Sequence, residues 1–158
     1  MSVFEEEFFD CYARSLPYQI EKASVYIRLK GSLHLNQLGA GITLEQFITL
    51  DAISTGNGIC QRDLAKILLK DRSNVTRILN LLEEKGLIYR EVSHKGNRMV
   101  KVSYLTEQGK DLVGKYADIL KNDLNSFLSQ FDQKKLLIME EMLREISSKI
   151  SENANIQI

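Results

Sequence analysis

The chain has 158 residues, the length of one domain with extensions, and its 44% apolar content is above that of a disordered chain. Its longest aliphatic runs are a few residues, far short of the ~18 a membrane span needs, and its two cysteines lack metal-ligand spacing and fit a reducing compartment. The net charge is zero but uneven: residues 60–101 carry ten Lys/Arg against five Asp/Glu, and the remainder carries the matching acid excess. A basic middle between acidic ends fits either a solvated face or the electrostatic footprint of a polyanion site.

The first residues, "MSVFEEEFFDCYARSL", are acidic where a secretory leader is basic, so a cytoplasmic protein is expected. Pro17, the only proline, suits a helix start or a break between two helical pieces. After it, Ile20, Ala23, Ile27, Gly31, His34, Leu35 and Leu38 recur at helical spacing, and Val25, Tyr26, Leu29 and Leu33 form a second apolar face. A helix with two apolar faces contacts two things, and a second subunit is the natural second. This helix is expected to end at the glycines 39 and 41.

"ITLEQF" then reads as a helix start, with Thr43 as N-cap, Gln46 completing a capping box, and Ile42 and Phe47 at the staple positions. That helix runs to about Ser54 and stops at a Gly-Asn-Gly turn. A third helix, about 61–69, carries Leu64, Ala65, Ile67 and Leu68. Three polar residues, 70–72, separate it from a fourth, whose Val75, Ile78, Leu79 and Leu82 make one buried stripe before a left-handed cap at Gly86.

From Leu87 the period changes to two: "LIYREVS" and "MVKVSYL" read as strands around an "HKGN" turn. Thr106 caps a long helix bearing Leu112, Val113, Tyr116, Leu120, Leu124, Phe127 and Leu128. Phe131-Asp132 breaks it, and a last helix carries Leu136, Met139, Met142, Leu143, Ile146 and Ile150, with the methionines as core or subunit seam.

Two short helices, a tight turn and a two-stranded hairpin make a helix-turn-helix with a β-wing, a mainly α fold. The second helix of such a unit lies in the DNA major groove with its N-terminal residues on base edges. With the apolar stripe holding that helix, Ser73, Asn74, Thr76 and Arg77 are expected to face outward, and Arg72 stands beside them. Arginine pairs with guanine, asparagine with adenine, and Ser or Thr with base or phosphate. Gln61 and Arg62, opening the preceding helix, suit phosphate contact at its N-terminus. Lys95 and Arg98 flank the wing turn, within reach of phosphates or a minor groove. Each residue alone fits a solvated surface; together, in this order and with this charge, they favour double-stranded DNA.

"DLAKILLKDRSNVTRILNLLEEKGLIYRE", followed after the hairpin by "YLTEQG", resembles the MarR family of bacterial transcription regulators. The resemblance covers about residues 42–109, and the order of helices on both sides also matches. It implies a cytoplasmic homodimer built by terminal helices at 1–41 and 110–158, with 42–109 as the DNA-binding domain. It further implies a near-palindromic operator, most naturally under repression, and release of DNA by a small, often phenolic, ligand or by an oxidant. An effector pocket is expected between the first two helices and the fifth, with Tyr26, His34 and Phe47 lining an apolar cleft suited to an aromatic acid. The wing departs from the family's acid-x-Arg motif, since Gly96 stands where the acid would. One residue more than usual separates Arg98 from Leu105, which implies a bulge or a longer strand. Lys70 stands in the turn where an apolar residue is common.

Oxidant-sensing members carry a reactive cysteine in the first long helix, whereas Cys11 precedes Pro17. Cys60, at or near the N-cap of the third helix, either has a thiol lowered by the helix dipole or merely replaces a Ser/Thr cap. Cys11 alternatively packs among Phe8, Phe9 and Tyr12.

No P-loop, G-x-S-x-G or H-E-x-x-H occurs, and "GAG" at 39–41 follows a helix rather than a strand, so no enzyme, cofactor or metal site is expected. His34 reads as an interface residue and His94 as part of a solvated turn. The rival from another class is a winged-helix protein-interaction adaptor, against which the basic segment and the arginine-bearing helix argue.

Overall fold

The computed structural model describes residues 12–56, 58–95 and 98–154, with the side chains at 95, 98, 153 and 154 outside the description. Helix α1 (Leu16–Gln37) opens at Ser15, whose Oγ accepts the Tyr18 N–H at 3.4 Å. Pro17 falls in the first turn, where its missing N–H has no carbonyl to meet, so it starts this helix rather than breaking one. The chain divides between Leu44 and Glu45 into two compact units. Along α1 only Leu35 is buried, while Val25, Tyr26, Ile27, Leu29 and Leu33 are exposed. The second apolar face is therefore uncovered in the single chain, and the first is uncovered at Ile20, Ala23 and Ile27.

Helix α2 (Leu44–Ser54) begins directly after Thr43 and buries Gln46, Phe47, Leu50 and Ile53. A two-residue strand, β1 (Ile59–Cys60), follows; sequence patterning gave no hint of it, because two residues carry no period. Helix α3 (Gln61–Leu68) buries Leu64, Ala65 and Leu68, and helix α4 (Arg72–Glu84) buries Val75, Ile78, Leu79 and Leu82, the stripe expected from spacing. Removing such side chains from water contributes roughly 1.5–3 kcal/mol each. Gly86, at φ +68°, ends α4 in the left-handed conformation that a side chain resists.

Strands β2 (Ile88–Lys95) and β3 (Arg98–Leu105) pair antiparallel in unbroken register, from Ile88 opposite Leu105 to Lys95 opposite Arg98. The extra residue before Leu105 thus lengthens the strand without a bulge. With β1 paired to the other edge of β3, the sheet order is β1-β3-β2. Thr106 then locks the base of the wing to helix α5 (Glu107–Leu128). Its Oγ1 donates to the Gly86 carbonyl at 2.7 Å and accepts the Gly109 N–H at 3.1 Å, capping α5. Val113 and Tyr116 bury the first half of α5.

The last helix, α6 (Gln133–Ala154), has no buried residue among those whose side chains are described, and Leu137, Ile138, Met139, Met142 and Ile150 are all more than half exposed. Ion pairs four residues apart, Arg144 with Glu140 and Lys149 with Glu145, support it. Among the described residues, no helix is long and apolar enough to cross a membrane.

Candidate nucleic-acid interface

The turn between α3 and α4 is built by backbone geometry first. Leu69 adopts φ 51° and ψ 47°, a left-handed conformation uncommon outside glycine. It lets the Lys70 N–H reach the Ala65 carbonyl at 3.1 Å and its own N–H reach that of Lys66 at 3.4 Å, closing the end of α3. The Lys70 ammonium then pairs with Glu45 Oε1 at 2.7 Å, fastening the turn to α2. This partner accounts for a charged residue at a position where an apolar one is common.

Asp71 is the N-cap of α4, so the helix starts at Arg72, one residue earlier than the polar turn 70–72 suggested. Its Oδ1 accepts the Asn74 N–H at 2.9 Å and its Oδ2 accepts the Asn74 side-chain amide at 2.5 Å. These bonds, the backbone one foremost, hold the Asp71 carboxyl below its ordinary range.

The residues expected at DNA whose side chains are described divide into two sets. Arg72, Ser73, Asn74 and Arg77 are exposed on the N-terminal half of α4, and Arg62 is exposed on α3, its Nε 3.6 Å from Asp63. Gln61 and Thr76 are only half-exposed and are bound to each other. Gln61 Nε2 donates to Thr76 Oγ1 at 2.6 Å and to the Arg72 carbonyl at 3.0 Å, while Thr76 Oγ1 donates to that same carbonyl at 2.7 Å. Gln61, read in sequence as a phosphate contact, thus clamps α3 to α4, and Thr76, read as outward-facing, is turned into its own helix. Lys95 and Arg98 close the hairpin as backbone partners, and their side chains lie outside the described residues.

Between the two helices runs an open groove of about 600 Å³, lined by Arg62, Lys66, Lys70, Arg72, Asp71, Ala65 and Leu69. Four cations and one anion give it a positive potential suited to a phosphate backbone. Lys66 was not among the residues singled out; its place four residues after Arg62, on the same helical face, was the available signal. Arg90 was also missed as a positioning residue. Its guanidinium donates to Asn80 and Glu83 of α4, so β2 is tied to the same helix.

Cys60 is buried at the N-cap of α3 but makes no side-chain cap; its thiol donates to Asp63 Oδ2 at 3.1 Å. Cys11 lies outside the described residues. Tyr26 is exposed on α1, with the Lys22 ammonium 5.9 Å from its ring centroid, and His34 is in the last turn of that helix. Phe47 is buried on α2, in the second unit. Among the described residues no group of three or more His, Cys, Asp or Glu is placed to hold a metal ion.

A family model described as "MarR family" matches residues 40–98. The HTH-type transcriptional regulator SarZ of Staphylococcus epidermidis is 30% identical over 87 residues, which are 55% of this chain and 58% of that protein. The chain thus spans a little over half the length of that curated relative. The Staphylococcus aureus MepR–DNA complex superposes with a TM-score of 0.75 at 29% identity, covering 85% of this chain and 98% of that one. A MepR variant bound to an oligodeoxyribonucleotide is 30% identical, covers 86% of this chain and 98% of that one, and has a TM-score of 0.52. With the three-stranded winged helix-turn-helix described above, these matches establish that the chain belongs to the MarR family, whose members are DNA-binding transcription regulators and not enzymes.

Proposed function

We propose that the protein is a sequence-specific DNA-binding transcription regulator that works in the cytoplasm as a homodimer, repressing from a near-palindromic operator. One observation carries this reading: α4 is held by a fully apolar face while its opposite, N-terminal half presents Arg72, Ser73, Asn74 and Arg77 beside the basic groove. That is the arrangement with which a recognition helix enters a major groove. Arg77 and Asn74 would read bases, whereas Arg62, Lys66 and Arg72 would neutralise phosphates, joined by Lys95 and Arg98 from the wing. MepR, a relative of nearly matching length, forms a complex with DNA.

Residues 42–109 would form the DNA-binding domain, and the helices at 1–41 and 110–158 would form the dimer. The uncovered apolar residues of α1 and α6 support that division, because such surface is seldom left open to water. A small aromatic acid is the effector class we assign. Binding that alters the separation of two recognition helices would break their match to half-sites one helical turn apart.

Selection of duplexes from a genomic pool, followed by affinity measurement across a salt series, tests the central claim. A regulator selects a related set of sites and binds with a steep salt slope. An adaptor selects none, and that outcome would reject the reading. Light scattering at micromolar concentration should report a dimer. Salicylate should raise the melting temperature while weakening binding to the selected duplex.

A further inference from the structure

We propose that Gln61 is a positioning residue that fixes Thr76 as a methyl-presenting contact with no hydrogen to donate, and that Thr76 thereby selects thymine at one base pair of each half-site. The inference rests on the DNA-binding reading above and adds a base preference to it.

A threonine hydroxyl has one hydrogen to donate and two lone pairs to accept with. The hydrogen of Thr76 goes to the Arg72 carbonyl at 2.7 Å, one turn back on the same helix. One lone pair accepts from Gln61 Nε2 at 2.6 Å. Because Gln61 also donates to the Arg72 carbonyl at 3.0 Å, the three groups close a ring of hydrogen bonds across the two helices. In a helix threonine divides between two side-chain rotamers, and a bond to the preceding turn selects one of them. The ring therefore fixes the direction of the Thr76 methyl as well as the role of its oxygen.

What Thr76 can still offer is that methyl and one lone pair. Phosphate oxygens, guanine N7 and O6, adenine N7 and thymine O4 all accept hydrogen bonds, so none of them finds a donor here. The thymine C5-methyl is apolar and packs against a threonine methyl, and the adenine paired with it offers an N6 hydrogen for the remaining lone pair. Cytosine offers an amino hydrogen without a methyl. An A·T pair alone matches both features. Thr76 also follows the exposed Arg72 and Ser73 by one turn and precedes Arg77, within the stretch proposed to meet base edges.

The test uses the full-length protein and a duplex selected from a random pool. Each thymine is replaced in turn by deoxyuridine, which removes only the C5-methyl. One position per half-site should lose affinity roughly three- to tenfold, the effect of exposing a methyl-sized apolar group. Thr76→Val keeps the methyl and removes the hydroxyl, so it should retain the uracil penalty while losing the part of the affinity that the adenine contact supplies. Thr76→Ser keeps the hydroxyl and removes the methyl, so the penalty at that position should vanish. Gln61→Ala should shrink the penalty while leaving random-duplex affinity unchanged. A selected duplex indifferent to every uracil overturns the inference, even with wild-type protein alone. So does a folded Thr76→Val that binds without the uracil penalty, or a Gln61→Ala that weakens random and selected duplexes equally, which would make Gln61 a phosphate contact. If no duplex is selected at all, the DNA-binding reading itself fails, and the inference with it.

Discussion

Arg90, on the first wing strand, donates from Nη2 to Asn80 Oδ1 at 2.8 Å on the helix proposed for recognition, while its Nε donates to Glu83 Oε2 at 3.1 Å. One planar guanidinium thus holds two side chains of α4 a turn apart, and only arginine has the fork to do so. Arg90→Lys keeps the charge but loses the bridge, so urea unfolding should show a loss of about 1 kcal/mol, allowing for the solvent reaching Glu83. Unchanged stability would mean that the wing is held without it. The bond to Arg90 is also the main reason the Glu83 carboxyl lies below its ordinary value of 4.5. A depressed carboxylate adds stability that is complete above its unfolded value and disappears as pH falls through the folded one. Glu83→Gln should therefore flatten the stability curve below about pH 4.5 and leave its shape near neutrality unaltered.

The same pair marks the limit of what the sequence discloses. The stripe Val75, Ile78, Leu79 and Leu82 and the Thr106 cap follow from local spacing, so they were legible. The partners of Arg90, Lys70 and Gln61 are 7 to 25 residues away, and no periodicity relates them. The polar turn 70–72 placed the start of α4 one residue late, because a polar residue such as Arg72 fits a turn and a first helical position equally until the Asp71 cap is seen. At the interface, exposure of Arg72, Ser73, Asn74 and Arg77 was readable because it is the complement of the apolar stripe. The bond between Gln61 and Thr76 was not readable, because a helix terminus and a helix face look equally solvated before they meet.

The glycine of "YLTEQG" has a steric reason that spacing cannot supply. A Cβ on Gly109 would stand 2.1 Å from the Leu87 carbonyl oxygen, and both are backbone positions that rotamer changes cannot relieve. Gly109→Ala should cost roughly 1–3 kcal/mol or more, as overpacking does, and loosen the junction of wing and α5. Thermal unfolding reads the loss directly. A neutral Gly109→Ala would show that the strand end shifts freely.

Leu69 offers a prediction of opposite sign. Its left-handed backbone is strained for a side chain that is 70% exposed and therefore gains little from burial. Leu69→Gly removes the strain and adds some unfolded-state entropy, for a net gain of about 0.5–1 kcal/mol. For a chain of this size that corresponds to a rise of roughly 1–4 °C in melting temperature. A fall in melting temperature would mean that the leucine side chain packs more than its exposure implies.

Arg77 decides whether α4 reads bases. It is exposed on the face away from Val75, Ile78, Leu79 and Leu82, so Arg77→Ala should leave thermal unfolding unchanged. Loss of a bidentate base contact should weaken the selected duplex by about 1–3 kcal/mol and relax preference at one base pair. Random-duplex affinity should fall much less, since phosphate contacts carry that term. Leu79→Ala, at 1% exposure, should do the reverse: it destabilises the domain by roughly 2–5 kcal/mol with no base-specific signature. Equal losses on both duplexes for Arg77→Ala would assign the side chain to phosphate. No loss on either, with normal stability, would remove α4 from the groove altogether.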